Sequence, residues 1–378
     1  MSTLMKNNEM MNSTSINMFR LKLKYSMVGI PTPSSISYMW NFGSLLGMNL
    51  VTQIVSGLLL SLHYSPSLLG AFDSVIHMMD NVPLGWLIRS IHANGASMFF
   101  FFVYLHLGRG MYFSSYKLKV MWISGVIIFL SLMGTAFLGY VLPWGQMSLW
   151  GATVITNLLS AVPFIGEDMV IWVWGGFSVS EPTLGRFYSL HYILPFIIVV
   201  LVLAHLAILH SSGSSNPLGL GINSDKIFFH PFFTYKDLVG IMLTLLIFMF
   251  VCMNCFDLFM DPDNFSPANP MSTPPHIQPE WYFLFAYSIL RSLPTKLGGV
   301  VALLMSILVM FTLPYLSIWK SRSGRMMFFH KIVVIGQYFT FLLLTWIGGM
   351  PVEGIYPMIG KWLSVVYFMN MLLIGLIG

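Results

Sequence analysis

The chain has 378 residues, 56% of them hydrophobic and only 8% charged, with two cysteines and a net charge of +5. An ordinary soluble domain carries about 25% charged residues, so the composition excludes a soluble enzyme and a disulfide-stapled domain, and marks an all-α polytopic membrane protein. Its lysines and arginines are spread among loops and no phosphate-cradling glycine loop is present, so no nucleic-acid partner is expected.

The N-terminal stretch is polar and basic, without the apolar core of a cleavable signal. Eight stretches then follow that are long enough to span a lipid core of about 30 Å: 41–62, 85–113, 120–141, 182–212, 237–256, 298–318, 331–349 and 355–377. Eight crossings place the N-terminus and the 2–3, 4–5 and 6–7 loops on one side. That side holds thirteen of the eighteen basic residues, among them Lys6, Arg20, Lys22, Lys24, Lys320 and Arg322. The opposite side holds ten of the thirteen acids. This asymmetry predicts that both termini lie on the basic face.

Span 2 carries His92 and His106, and span 4 carries His191 and His205, each pair fourteen residues apart. Fourteen helical steps return to within roughly 40° of the same face and climb about 21 Å. A lone histidine on an apolar helix is usually a hydrogen-bonded core residue. The same spacing on two lipid-length helices is hard to obtain by chance, because polar groups in a membrane are costly. Paired axial histidines are what a low-spin b-type haem needs. Spans 2 and 4 run in the same direction, so His92 pairs with His191 near the acidic face and His106 with His205 near the basic face.

Span 1 carries Gly43 and Gly57, and span 3 carries Gly125 and Gly139, again fourteen apart. Bare α-carbons allow close approach of a flat macrocycle, although small residues also serve ordinary membrane-helix packing. Arg89 and Arg109, each three residues from a histidine, are candidate propionate partners or interfacial snorkelling residues. Pro195 removes an amide from span 4 and should bend it.

The 3–4 connection, from Leu142 to Glu181, includes PWGQMSLWGATVITNLL, which reads as an amphipathic helix on the acidic face. The 5–6 connection opens with a proline-rich run and reaches Glu280 just before WYFLFAY. A carboxylate beside apolar and aromatic surface can accept a proton from a hydroquinone; an isolated one is by default a solvated interfacial group. On the basic face, Ser44, His210, Lys236 and Asp237 are groups able to hydrogen-bond quinone carbonyls and relay protons. Cys252 and Cys255 lack the histidine of a covalent haem motif and read as apolar filler. His63, His77, His230, His276 and His330 share no spacing and are assigned no cofactor.

Between residues 40 and 362 the sequence resembles the mitochondrial cytochrome b family, the haem-carrying core subunits of ubiquinol–cytochrome c reductase (respiratory complex III). The resemblance rests on WNFGSLLG (40–47), HANGASMFF (92–100), GYVLPWGQMSLWGATVITNL (139–158), RFYSLHYILPF (186–196), FHPFFTYKD (229–237) and PEWYFLFAY (279–287). It implies an N-terminal four-helix domain over 1–222 holding two non-covalent haem b groups, and a C-terminal domain over 223–378 completing a quinol-oxidation pocket. Tyr140 and Gly151 match residues lining that pocket, and the PEWY match makes Glu280 and Tyr282 its catalytic candidates. Ser44, His210, Lys236 and Asp237 match the quinone-reduction site. The implied partners are a Rieske iron–sulfur subunit, a cytochrome c-type subunit, further complex III subunits and a second copy of the complex. The implied location is the mitochondrial inner membrane with both termini in the matrix, in keeping with 29 methionines and no import signal. A proton-relaying transporter or a structural anchor would share the spans but predicts a colourless protein.

Overall fold

A computed structural model describes residues 29–219, 225–318 and 323–378. Among them β1 (Pro31–Pro33) precedes α1 (Phe42–Ser61), α2 (Ala71–Asp80), α3 (Gly85–Tyr112), α4 (Lys119–Val141), α5 (Gln146–Asn157), α6 (Gly166–Trp174) and α7 (Glu181–Ser212). There follow β2 (Lys226–Phe228), α8 (Phe232–Asn254), α9 (Leu284–Arg291), α10 (Lys296–Leu308), α11 (Leu313–Leu316), α12 (Phe328–Gly348) and α13 (Tyr356–Ile377). The 222/223 boundary and Lys6, Arg20, Lys22, Lys24, Lys320 and Arg322 lie outside the described residues.

Seven helical stretches are long and apolar enough to cross a membrane. The expected second span is not among them. α3 has the length, 28 residues, but Arg89, Ser90, His92, Asn94 and Ser97 dilute its hydropathy. Ser90, Asn94 and Ser97 are buried inside the protein, where neighbours replace the solvent that lipid lacks. The expected sixth span is broken: α10 passes through a 3-10 turn at Val309–Thr312 into α11, whose second residue is Pro314. The fifth begins at Phe232, five residues early. α7 runs through Pro195 as continuous helix; its start is fixed by a reciprocal Ser180–Thr183 cap with a proline in the first turn.

The first four long helices pack as two couples, α1 against α3 and α4 against α7. In a bilayer, burying apolar side chains gains little over lipid, so close packing of small residues carries more of the association. Each couple has one glycine-bearing and one histidine-bearing helix. α12 and α13 pack on each other and on α9, and a core of Phe100, Phe129, Tyr282, Phe285, Leu344 and Tyr367 joins this half to α3 and α4. On the acidic side a second core, including Val141, Trp144, Leu149, Ala152 and Leu184, seats α5 on the bundle.

A seam ties the 5–6 connection to α5. Gly145 bridges Pro267, and the Ala268 amide donates to the Trp144 carbonyl at 3.0 Å. No residue beside α5 caps it; instead Asn264 Oδ1 accepts from the Ser148 amide at 2.9 Å and from its hydroxyl at 3.0 Å. A first-turn amide otherwise left open is thereby satisfied from 116 residues away.

Candidate cofactor and quinone sites

The glycines and histidines align one to one. A Cβ built at Gly57 would lie 2.9 Å from His92 Cε1, and one at Gly139 would overlap the His191 ring. At the other level, Gly43 faces His106 at 3.9 Å and Gly125 faces His205 at 3.3 Å. Both couples are therefore antiparallel, and each bare α-carbon accommodates an imidazole edge. The sequence had suggested space for a macrocycle; what the glycines meet directly is the histidine.

His92 and His191 have ring centres 6.2 Å apart with planes at 86°. Two imidazoles on one metal, with bonds of about 2 Å and each nitrogen about 1 Å from its ring centre, have centres about 6 Å apart. Their Nδ1 atoms are oriented by acceptors. His191 donates to the Thr135 carbonyl at 2.8 Å. His92 meets Ser56 Oγ at 3.0 Å, and because that hydroxyl gives its own proton to the Thr52 carbonyl it accepts from the ring. Such contacts fix the tautomer that leaves Nε2 bare for a metal.

At the second level His205 Nδ1 meets Ser124 Oγ at 2.7 Å, and Ser124 in turn donates to the Met121 carbonyl. His106 differs: its Nδ1 faces Arg109 Nη2 at 3.3 Å. Arg109 lies over the Trp40 ring at 5.1 Å, and its Nε is buried without a hydrogen-bond partner. It is within electrostatic reach of both His106 and His205. Paired imidazoles, bare glycines and an incompletely satisfied cation fit an anionic macrocycle with a central metal. Among the described residues no group of three or more His, Cys, Asp or Glu could hold a metal by itself.

A cavity of about 340 Å³ is lined by Gly57, Arg89, His92, Gly139 and His191 at one end. Tyr140, Asp261, Glu280 and Tyr282 line it too, so the acidic-side histidine pair and the PEWY loop share one chamber. Burial pushes the Glu280 carboxyl up to about 8 and the Asp261 charge adds to this, while the Tyr140 hydroxyl and Arg89 act in the opposite direction. Trp281 Nε1 donates to Ser97 Oγ at 3.1 Å, and the Tyr282 carbonyl accepts from the Tyr104 hydroxyl. The Tyr282 ring is 4% exposed and stacks on Phe100 at 4.1 Å. The loop is thus anchored to α3, and Tyr282 contributes wall and packing. Gly151 is not on the wall of this chamber.

On the opposite side Asp237 lies in hydrogen-bonding reach of Ser44, whose hydroxyl also reaches the Asn41 carbonyl at 2.8 Å. Lys236 Nζ donates to the Ile36 carbonyl at 2.8 Å and sits over the Tyr38 ring at 4.7 Å. Asn41, which the sequence reading passed over, donates to the Lys236 carbonyl at 2.9 Å. His210 is exposed in the last turn of α7.

Two family models match, one described as cytochrome b/b6/petB over residues 27–213 and one as cytochrome b(C-terminal)/b6/petD over 267–368. A solved chain titled "Hyperthermophilic respiratory Complex III" is 34% identical, with a TM-score of 0.90, covering 94% of this chain and 95% of that one. The chain belongs to the cytochrome b family. Membership implies haem b binding.

In this cytochrome b the sequence reading missed Asp261 and Asn264. Both sit in DPDN, a run that reads as a turn, and only the fold carries them to Glu280 and α5. His330, assigned no cofactor, is fully buried with Nε2 on the Met111 carbonyl at 3.1 Å. Cys252 is buried and Cys255 half-buried, both as free thiols.

Proposed function

We propose that this cytochrome b is the core electron-transfer subunit of a quinol–cytochrome c oxidoreductase, oxidising ubiquinol at its acidic face and reducing quinone at its basic face in a proton-translocating Q cycle. Support comes foremost from the imidazole pair at 6.2 Å opening into the chamber that also holds Glu280. His92 and His191 would hold one haem b and His106 and His205 a second; bound haem supplies reversible one-electron redox chemistry. Gly43, Gly57, Gly125 and Gly139 seat the ligand rings, and Arg89 and Arg109 offer positive charge to propionates.

Glu280 accepts a proton from ubiquinol, with Tyr140 in hydrogen-bonding reach of its carboxylate. The anchored PEWY segment keeps this carboxyl in apolar surroundings, and Tyr282 closes the wall. Gly151, set back from the chamber, keeps α5 slender. At the basic face Asp237 and Ser44 donate or relay protons to the quinone, His210 stands at the exit of α7, and Lys236 braces the segment around Ile36. One electron would leave to a Rieske iron–sulfur subunit serving a cytochrome c-type subunit, within a dimeric complex containing other complex III subunits. The methionine-rich composition supports a mitochondrial inner-membrane location with both termini in the matrix.

The test is a reduced-minus-oxidised optical spectrum of the purified complex and its variants. His92→Leu and His191→Leu should remove one common spectral component, and His106→Leu and His205→Leu the other. A colourless unaltered protein, or His92 and His205 variants losing the same component, would sink this reading.

A further inference from the structure

Three of the four histidines direct Nδ1 at an acceptor: Ser56, the Thr135 carbonyl and Ser124. His106 instead faces a cation, Arg109, so whatever positions that guanidinium acts directly on the basic-side level. Two of its neighbours come from the N-terminal half, His106 at 3.3 Å and the Trp40 ring at 5.1 Å. The third comes from the C-terminal half. Tyr338 projects from α12 onto the bare α-carbon of Gly108, so closely that a Cβ there would overlap its hydroxyl. That hydroxyl lies beside the residue preceding Arg109 and within electrostatic reach of the guanidinium. Arg109 Nε, buried and unpartnered, leaves the cation short of acceptors, a condition that is costly inside a membrane.

We propose that Tyr338 is a positioning residue for the basic-side haem, its hydroxyl holding Arg109 against the His106 level so that the C-terminal half sets that haem's redox equilibrium. The inference rests on the haem-binding reading above. A fixed positive charge near a redox centre favours the reduced form, because reduction makes the centre more negative. Gly108 is the structural permission, since any side chain there would push the tyrosine away. With the hydroxyl gone, the guanidinium loses its oxygen neighbour on the α12 side and turns toward other acceptors. A retreat from about 8 to about 12 Å, at an effective dielectric of about 20, changes the equilibrium about threefold.

The experiment is a redox titration of the whole complex in its membrane, followed optically, with the two haem components assigned by the histidine variants. Tyr338→Phe deletes one oxygen and keeps the ring on Gly108. It should lower the reduced-to-oxidised ratio of the basic-side haem about threefold at a given ambient potential, leaving the acidic-side haem unchanged as an internal control. In an Arg109→Lys background the same substitution should produce no further change, because its route of action is already altered. Two normal haems with unshifted equilibria in Tyr338→Phe would overturn the proposal and leave the haem assignment intact. Equal shifts in both backgrounds, or loss of both haems, would mark Tyr338 as a packing residue and also overturn it. An unaltered complex without a bis-histidine haem spectrum would overturn the functional reading, and this inference with it.

Discussion

Glu280 must be ionised to accept a proton, yet burial and Asp261 hold its carboxyl at about 8 against an ordinary 4.5. Below that value the carboxylate fraction falls about tenfold per pH unit, so quinol oxidation at the acidic face should rise with pH and level off near 8. The same shift means the folded state binds this proton more tightly. Glu280 therefore favours folding fully below 4.5 and progressively less as pH rises to about 8. Asp261→Asn removes the neighbouring charge and should move the ascending limb to lower pH. Glu280→Gln should slow the reaction about 100-fold and flatten that limb. Pre-steady-state haem reduction with the basic-side site blocked measures both; an unshifted limb in Asp261→Asn contradicts the electrostatic account. Gly57→Leu and Gly139→Leu place bulk where an imidazole edge lies. Each should lose or displace the same acidic-side haem component, and normal spectra in both would reduce these glycines to ordinary packing.

At the scale of elements, α5 depends on a partner remote in sequence. Its first turn is capped by Asn264, and Gln146 extends the tie by donating to the Ser272 carbonyl at 3.0 Å and accepting from the Asn269 amide at 2.8 Å. Loss of such a cap costs about 1 kcal/mol. Asn264→Ala should speed hydrogen exchange of the Ser148 amide and loosen α5 over the chamber, with the histidine levels untouched. Unchanged exchange at Ser148 would show that the seam holds without this side chain. The break between α10 and α11 has a local cause, because Pro314 has no amide for the preceding turn.

Across the whole molecule, two antiparallel couples bring four histidines to two levels, and the C-terminal half closes one end of the upper chamber. Topology then predicts sidedness. A single cysteine placed at Lys331, in a chain freed of Cys252 and Cys255, should react with a membrane-impermeant reagent only from the basic compartment. One placed at Phe164, fully exposed beside α6, should react only from the other. Labelling of both positions from one side would invalidate the crossing order.

Much of this was legible in the residues alone. Membrane class follows from composition, and the two histidine levels follow from helical geometry, since a fourteen-residue spacing sets both face and depth whatever the helix packs against. Crossing parity then pairs His92 with His191, as their 6.2 Å separation bears out. Glu280 was legible only through its motif, because a single carboxylate has no periodic signature. The tertiary structure alone decided that each glycine faces an imidazole, that Asp261 joins Glu280, that Asn264 caps α5 and that Tyr338 reaches Gly108. α3 escaped the apolar signal for the complementary reason: its polar groups are satisfied by neighbouring helices that local hydropathy cannot register. In each case the partners lie far apart along the chain, where no local propensity or spacing records the contact, and only the packing of helices brings them within a few ångströms.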